Sequence, residues 1–232
     1  MSSFERNVNI YNEQGRLLQL EYAMKAMTLG TTTIGTCSKD AVILISEKKI
    51  TSRHQNLESA GKSEKLFDHI GFSFSGISGD AKKIMQVARR ICLQHMKLHE
   101  ENIGVEGLLK DLCHLSLQFS ESDEMKKILS RPFGASVMLG VFEETPKLFV
   151  LDPSGTYRRF GSKAIGSACE TLEEDVLKEL NEEISTEESI KRSIKILGSV
   201  MQEKINSKNI EIMRITKDQV YSLTESEISA FL

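Results

Sequence analysis

The sequence is short of proline, cysteine, long apolar runs and surplus charge of either sign, and each shortage closes off a class of explanation. Only 3 prolines occur in 232 residues, and no repeat or low-complexity segment is present, so nothing in the chain reads as a linker between domains. The 4 cysteines, Cys37, Cys92, Cys113 and Cys169, are far apart and form no Cys-x-x-Cys pair. That spacing suits reduced, buried thiols better than a disulfide framework or a zinc site. No apolar run approaches the roughly 18 residues of a membrane span, and Met1-Ser2-Ser3-Phe4-Glu5-Arg6 has neither the basic flank nor the apolar centre of a secretory signal. Its 30 basic and 33 acidic residues leave a net charge of -3. Neither a basic field for nucleic acid nor a polybasic patch for a membrane follows from that balance. The compartment expected is cytosol or nucleus.

With 40% hydrophobic and 27% charged residues, the chain describes a single domain able to bury roughly 70% of its unfolded surface. Its core demands no disulfide, metal, cofactor or partner. His95 and His99 stand four apart on a predicted helix, but nothing nearby in sequence adds the further ligands of a stable metal site.

The chain is organised around the stretch from Gly15 to Lys65. Leu17, Leu20, Ala23, Met24 and Met27 recur at helical spacing, which predicts an amphipathic helix ending at Gly30. Thr33–Cys37 and Ala41–Ile45 are short β-branched runs around the polar turn Ser38-Lys39-Asp40, with Glu47 to Thr51 expected to finish the second strand. A threonine at such a strand start raises the prospect of chemistry. An N-terminal threonine can use its own α-amino group as base, helped by a nearby lysine. In that arrangement Thr31 is the nucleophile, Glu47 the orienting acid and Lys65 the tuning amine. It requires a cut after Gly30, however, and the preceding residues look like a packed helix rather than a disposable leader.

These residues also carry a resemblance. Gly15-Arg16-Leu17, Gln19, Glu21-Tyr22-Ala23, Gly30-Thr31-Thr32 and Ser63-Glu64-Lys65-Leu66 resemble the α-type subunits of the 20S proteasome. The likeness continues through Ser130-Arg131-Pro132-Phe133-Gly134, Asp152-Pro153-Ser154-Gly155, Ala164–Ala168 and Asn209-Ile210-Glu211, covering nearly the whole chain. Among the seven eukaryotic α paralogues these runs look most like the fifth type. The resemblance implies a non-catalytic member of a seven-membered α ring, stacked on β-ring subunits that cut peptide bonds and involved in ubiquitin-dependent degradation. It implies no cofactor and no metal. Lys65 is then expected to line a pocket that takes the C-terminal carboxylate of regulatory-particle ATPases or other activators, a charge-assisted hydrogen bond.

The same resemblance makes residues 1–14 a tail that gates substrate entry at the ring axis, residues 15–30 a helix, and residues 31–232 a sandwich. Leu17, Leu20 and Met24 are expected on the ring contact. The tail departs from the family pattern. Phe4-Glu5-Arg6 replaces Tyr-Asp-Arg, and Glu13 stands where a proline with fixed φ is usual. Both changes bear on the polar cluster expected around Tyr22. Read without the resemblance, the first dozen residues are an unpatterned extended tail.

Farther on, Ser78 or Asp80 is expected to cap a helix from Ala81 to about Glu100, and a second helix runs from Gly104 to about Phe119. Gly76 and Gly79 lack the lysine and hydroxyl of a phosphate loop and read as turn residues. Strands at 135–142, 147–151 and 157–160, joined by tight turns, pair antiparallel. Helices near 170–180 and 186–206 follow, then strands at 210–215 and 220–223, with Thr224 capping a last short helix. Blocks of strands alternating with helix pairs exclude a doubly wound parallel sheet. The fold class expected is α+β, a four-layer αββα sandwich of the N-terminal nucleophile hydrolase kind, with two antiparallel sheets flanked by helix pairs. A stand-alone binding domain fits less well, because the first helix has an apolar stripe that needs a partner.

Overall fold

Ten strands in the described residues pair antiparallel throughout and build two five-stranded sheets. The structure is a computed structural model that describes residues 8–49, 54–55, 60–121 and 129–232. After helix α1 (Leu18–Thr28) come β1 (Thr33–Cys37), β2 (Val42–Glu47), β3 (Glu64–Phe67) and β4 (Ile70–Gly76). The helix pair α2 (Ser78–His99) and α3 (Val105–Leu117) leads to β5 (Ala135–Phe142), β6 (Pro146–Leu151), β7 (Tyr157–Phe160) and β8 (Ser162–Ile165). The pair α4 (Cys169–Glu179) and α5 (Thr186–Val200) precedes β9 (Ile210–Ile215), β10 (Val220–Ser222) and α6 (Glu225–Ser229). One sheet runs β10-β9-β2-β1-β8 and the other β3-β4-β5-β6-β7.

Three apolar layers hold four structural layers together. Successive strand residues face opposite ways. In β2, Val42 and Leu44 therefore enter the layer between the sheets, while Ile43 and Ile45 enter the layer under α4 and α5. In β5, Met138 faces the other sheet, and Val137, Leu139 and Val141 face α2 and α3. Both faces of these strands are buried, which is why Val42-Ile43-Leu44-Ile45 reads as a continuous apolar run rather than an alternation. Each such Leu or Ile contributes about 1.5–3 kcal/mol by leaving water. Ala81, Ile84, Met85 and Ala88 seat α2, and Ile190, Ile194 and Leu197 seat α5. This is the expected αββα arrangement.

The expected boundaries hold at the last helix, where the Thr224 hydroxyl accepts from the Glu227 N–H and the Glu227 carboxylate accepts from the Thr224 N–H at 2.7 Å. They fail elsewhere. The first helix spans Leu18–Thr28 rather than residues 15–30, because Gly15 takes a positive φ of 73° in the turn that Asn12 closes. β2 stops at Glu47, short of Lys48 and Lys49; Ile50 and Thr51 lie outside the described residues. α5 ends at Val200 rather than near Asn206, because the chain turns back and sets Ile205 against Gly198, whose missing side chain makes room. Helix α2 begins at Ser78 with no side-chain cap.

Asp80 does something else. Its carboxylate accepts from both terminal nitrogens of Arg131, at 2.7 and 2.9 Å, and from the Gly134 N–H at 2.8 Å. It thereby pins the approach to β5 against the start of α2. Burial pushes the Asp80 carboxyl up, but the hydrogen bonds from Arg131 and Gly134 outweigh it and hold the group below its ordinary value. A carboxyl lowered in the folded state stabilises above its unfolded pKa and loses that contribution as pH falls through the folded one. Asp80→Ala is expected to cost about 1–3 kcal/mol, the penalty of a buried N–H left without its acceptor. Urea midpoints should show that gap at neutral pH and a smaller one in acid.

Candidate functional site

The site grows from the join between α1 and β1. Helix α1 is amphipathic, but only Ala23 is fully buried, so it lies on the sandwich rather than in it. Its last turn is fastened by Ser75, whose hydroxyl lies 3.1 Å from the carbonyls of both Met27 and Thr31. Gly30 follows the helix end, though not to supply a left-handed residue. A Cβ there would strike the backbone nitrogen and the Cα of Gly76 and the Ser75 hydroxyl. Glycine is required by close approach of two backbones. On the other side, the Ser167 N–H donates to the Gly30 carbonyl at 2.9 Å. The Gly30–Thr31 peptide is thus enclosed by β4 and by the turn after β8.

Around Thr31 the structure assembles part of the predicted constellation and corrects the rest. The Thr31 hydroxyl donates to the Glu47 carbonyl at 3.2 Å, and the Glu47 carboxylate accepts from the Thr32 N–H at 3.4 Å. The lysine at the hydroxyl is Lys62, not Lys65. Lys62 Nζ lies 2.6 Å from Thr31 Oγ1, 2.6 Å from the Thr31 carbonyl and 3.3 Å from Thr33 Oγ1. Lys62 belongs to the segment leading into β3, which brings it inside the sandwich; three residues later, the strand has carried Lys65 to the surface.

Burial lowers the Lys62 ammonium to about 8, opposed by the charges of Glu211 and Glu47. Glu211, on β9, accepts from the backbone N–H groups of Lys62 and Ser63 at 2.6 and 2.7 Å through one carboxylate oxygen. Burial raises its pKa in spite of those bonds. Its other oxygen is 4.0 Å from Lys48 Nζ. A cleft of about 300 Å³ opens beside Thr31, lined also by Glu47, Lys49 and Ser167. Thr31 there carries no free amine, and its hydroxyl is already engaged as donor and acceptor.

Lys65 stands apart from this cluster. Its side chain is 48% exposed and pairs with Asp68 at 2.8 Å. The hydrogen bond from Lys65, then its charge, holds the Asp68 carboxyl below its ordinary value. Arg89 of α2 secures the strand beneath, donating to the Lys65 carbonyl at 2.8 Å and to Glu64 at 3.1 Å.

The first helix and its approach present apolar surface. Leu17, Leu20 and Met24 are half-buried, while Tyr11, Tyr22 and Leu29 are exposed. The turn before α1 is closed without proline. The Asn12 side-chain oxygen accepts from the Gln14 and Arg16 N–H groups at 3.0 and 2.9 Å, and Gly15 takes a positive φ of 73°. Glu13 is exposed in this turn, and Arg16 forms a two-pronged ion pair with Glu21. Phe4, Glu5 and Arg6 lie outside the described residues.

All four cysteines are free thiols, two of them buried; burial pushes Cys37 up to about 12 and Cys92 to about 11. His95 and His99 lie side by side, with ring centroids 4.5 Å apart and planes tilted by 39°. Among the described residues no group of three or more His, Cys, Asp or Glu side chains could hold a metal, and no helix is long and apolar enough to cross a membrane.

Sequence reasoning had no means of finding Lys62. Its partners are 31 and 149 residues away, and nothing around Gly61-Lys62-Ser63 marks the lysine as buried. Glu211 lay in a run noted for its resemblance, but its role depends on the same distant pairing.

The chain matches known proteins along nearly its whole length. Residues 27–215 match the family described as proteasome subunit, and residues 4–26 match the N-terminal signature of A-type proteasome subunits. A probable alpha type-5 proteasome subunit of Encephalitozoon cuniculi is 46% identical over 232 residues, covering 100% of both chains. One from Schizosaccharomyces pombe is 37% identical over 97% of this chain and 92% of its own. The alpha type-5 proteasome subunit of Drosophila melanogaster is 36% identical over 98% and 95%.

Proposed function

Because the chain belongs to the proteasome subunit family, on its α-type branch, we propose that Lys65 receives the C-terminal carboxylate of activators and that residues 1–14 gate substrate entry. The chain is a non-catalytic subunit of the α ring, built into the core particle with other proteasome subunits, and peptide hydrolysis belongs to β subunits. The observation that carries the reading is the seated join between α1 and Thr31. A threonine whose nitrogen continues into a packed helix lacks the α-amine that serves as base in an N-terminal nucleophile. Intact mass of the chain from purified particles is expected to equal the full sequence. A chain starting at Thr31 would make it a peptidase instead.

The half-buried Leu17, Leu20 and Met24, flanked by the exposed Tyr11, Tyr22 and Leu29, support a lateral contact of α1 with neighbours in a seven-membered ring. Phe4, Glu5, Arg6, Glu13 and Tyr22 belong to the gate in this reading, with the Asn12 turn in the place of a proline turn. The working compartments are cytoplasm and nucleus, and the activators include regulatory-particle ATPases.

Support for Lys65 comes from its own ion pair. The ammonium is half exposed and already holds one carboxylate, that of Asp68, which an incoming C-terminus can replace. Lys65→Ala in assembled particles is expected to weaken activator binding about tenfold or more, since a hydrogen bond to a charged group is worth about 1.5–3 kcal/mol. Ring assembly should be unaffected. Equal activator affinity in the two particles would remove Lys65 from the role.

A further inference from the structure

Lys62 and Lys65 stand three residues apart on one short stretch, one buried at the α1–β1 join and one at the surface. Every hydrogen of the Lys62 ammonium has an acceptor: the Thr31 carbonyl, the Thr31 hydroxyl and the Thr33 hydroxyl. The backbone of the same stretch is gripped from two sides. Glu211 of β9 holds the N–H groups of Lys62 and Ser63, and Arg89 of α2 holds Glu64 and the Lys65 carbonyl. From Thr31 the connection continues, because the Ser75 hydroxyl contacts both the Thr31 carbonyl and the Met27 carbonyl in the last turn of α1.

We propose that Lys62 is a positioning residue that transmits occupancy of Lys65 to helix α1, by tying the strand that carries Lys65 to the oxygens of Thr31. The proposal rests on the docking role of Lys65 argued above. Strand β3 is only four residues long and its pairing with β4 shifts register between Lys65 and Phe67. A pull on Lys65 therefore meets little resistance from its own ladder and is passed to the rigid groups that hold the stretch. Lys62 is the one of these that ends on the helix join.

The tie is a charged one and so depends on pH. The groups facing Lys62 are Glu211 from β9, Glu47 at the end of β2 with Lys48 just beyond it, the hydroxyls of Thr31 and Thr33, and the Phe74 ring of β4 with its centroid 5.9 Å away. Burial among them brings the ammonium to about 8, so the tie is complete below that pH and weakens above it.

The test uses whole core particles carrying the wild-type chain, Lys62→Met, Lys62→Arg or Lys65→Ala, and a synthetic peptide copying the C-terminus of a regulatory-particle ATPase. Peptide binding is read by fluorescence anisotropy. Opening is read as peptide-stimulated hydrolysis of a fluorogenic substrate, divided by the unstimulated rate at each pH. Lys62→Met is expected to bind the peptide within about twofold of wild type yet lose about fivefold in stimulation, the lower end of ordinary coupling between sites. Wild-type stimulation should fall as pH rises through about 8, while Lys62→Arg, whose guanidinium stays charged, should stay flat.

Equal stimulation by Lys62→Met and wild type overturns the proposal, as does one shared pH profile for wild type and Lys62→Arg. If Lys62→Met fails to assemble, the comparison of wild type with Lys62→Arg decides alone. Equal peptide binding by wild type and Lys65→Ala would instead remove the docking role, and this proposal with it.

Discussion

Gly30→Val is expected to destabilise the chain by about 3 kcal/mol or more and to keep it out of the ring. The reason is backbone proximity. Even a Cβ at position 30 would overlap the Gly76 nitrogen and the Ser75 hydroxyl and come within 2.9 Å of the Gly76 Cα. Side chains can turn away from an intruding atom; a strand backbone paired along its length cannot, and overpacking against it carries the larger penalties. Gly76 is itself constrained, with φ at 111° and its own absent Cβ directed at the backbone of Gly134 and Ala135. Relief at position 30 therefore has to come from lifting α1 away, breaking the contacts of Ser75 with Met27 and Thr31. Thermal unfolding of the isolated chain and native mass spectrometry of particles would read the effect. A variant that melts within a degree or two of wild type and assembles normally would show that the join is looser than this geometry.

Glu211→Ala carries the second large expectation, a loss of about 3–5 kcal/mol. One carboxylate oxygen satisfies two buried N–H groups, those of Lys62 and Ser63, and the same charge offsets that of the buried Lys62 ammonium. Removing one member of a buried charge set leaves the other uncompensated, which costs far more than the set contributes as a whole. The sign of the accompanying titration is fixed. Glu211 raises the Lys62 pKa against the lowering effect of burial, so its removal should send Lys62 below about 8. Lysine side-chain NMR would follow that change.

Lys62 also has a stability signature of its own. Its folded pKa lies below the ordinary lysine value, so the unfolded chain binds more protons between about pH 8 and the ordinary lysine range, and this group makes stability rise with pH across that window. The function proposed for it runs the opposite way, failing as stability improves. A lysine buried against such a desolvation penalty, where a methionine could fill the volume, fits a role in positioning rather than in holding the fold.

Much of the architecture was legible from local chemistry. Alternation of strand blocks with helix pairs located two antiparallel sheets and their covers, because apolar period and turn residues act over a few positions. The Thr224 capping box was readable for the same reason, both partners lying within one turn. Asp80 shows where such reading stops. It has the composition of a cap, yet Arg131 and Gly134, 51 and 54 residues on, outcompete the helix end for its carboxylate. The expected run of α5 to Asn206 failed likewise, since its periodicity continued while Ile205 was drawn back onto Gly198.

By itself, the sequence determined the layered αββα fold, the helix ahead of Thr31 and the α-type proteasome subunit family, since these depend on periodicity, turn residues and contiguous motifs. Only the tertiary structure decided which lysine reaches Thr31. Lys62 and Lys65 are chemically identical, and their difference lies in depth, one gripped among β1, β4 and β9 and the other in solvent beside Asp68. Depth is set by contacts between segments up to 149 residues apart, and no local pattern in the chain encodes it.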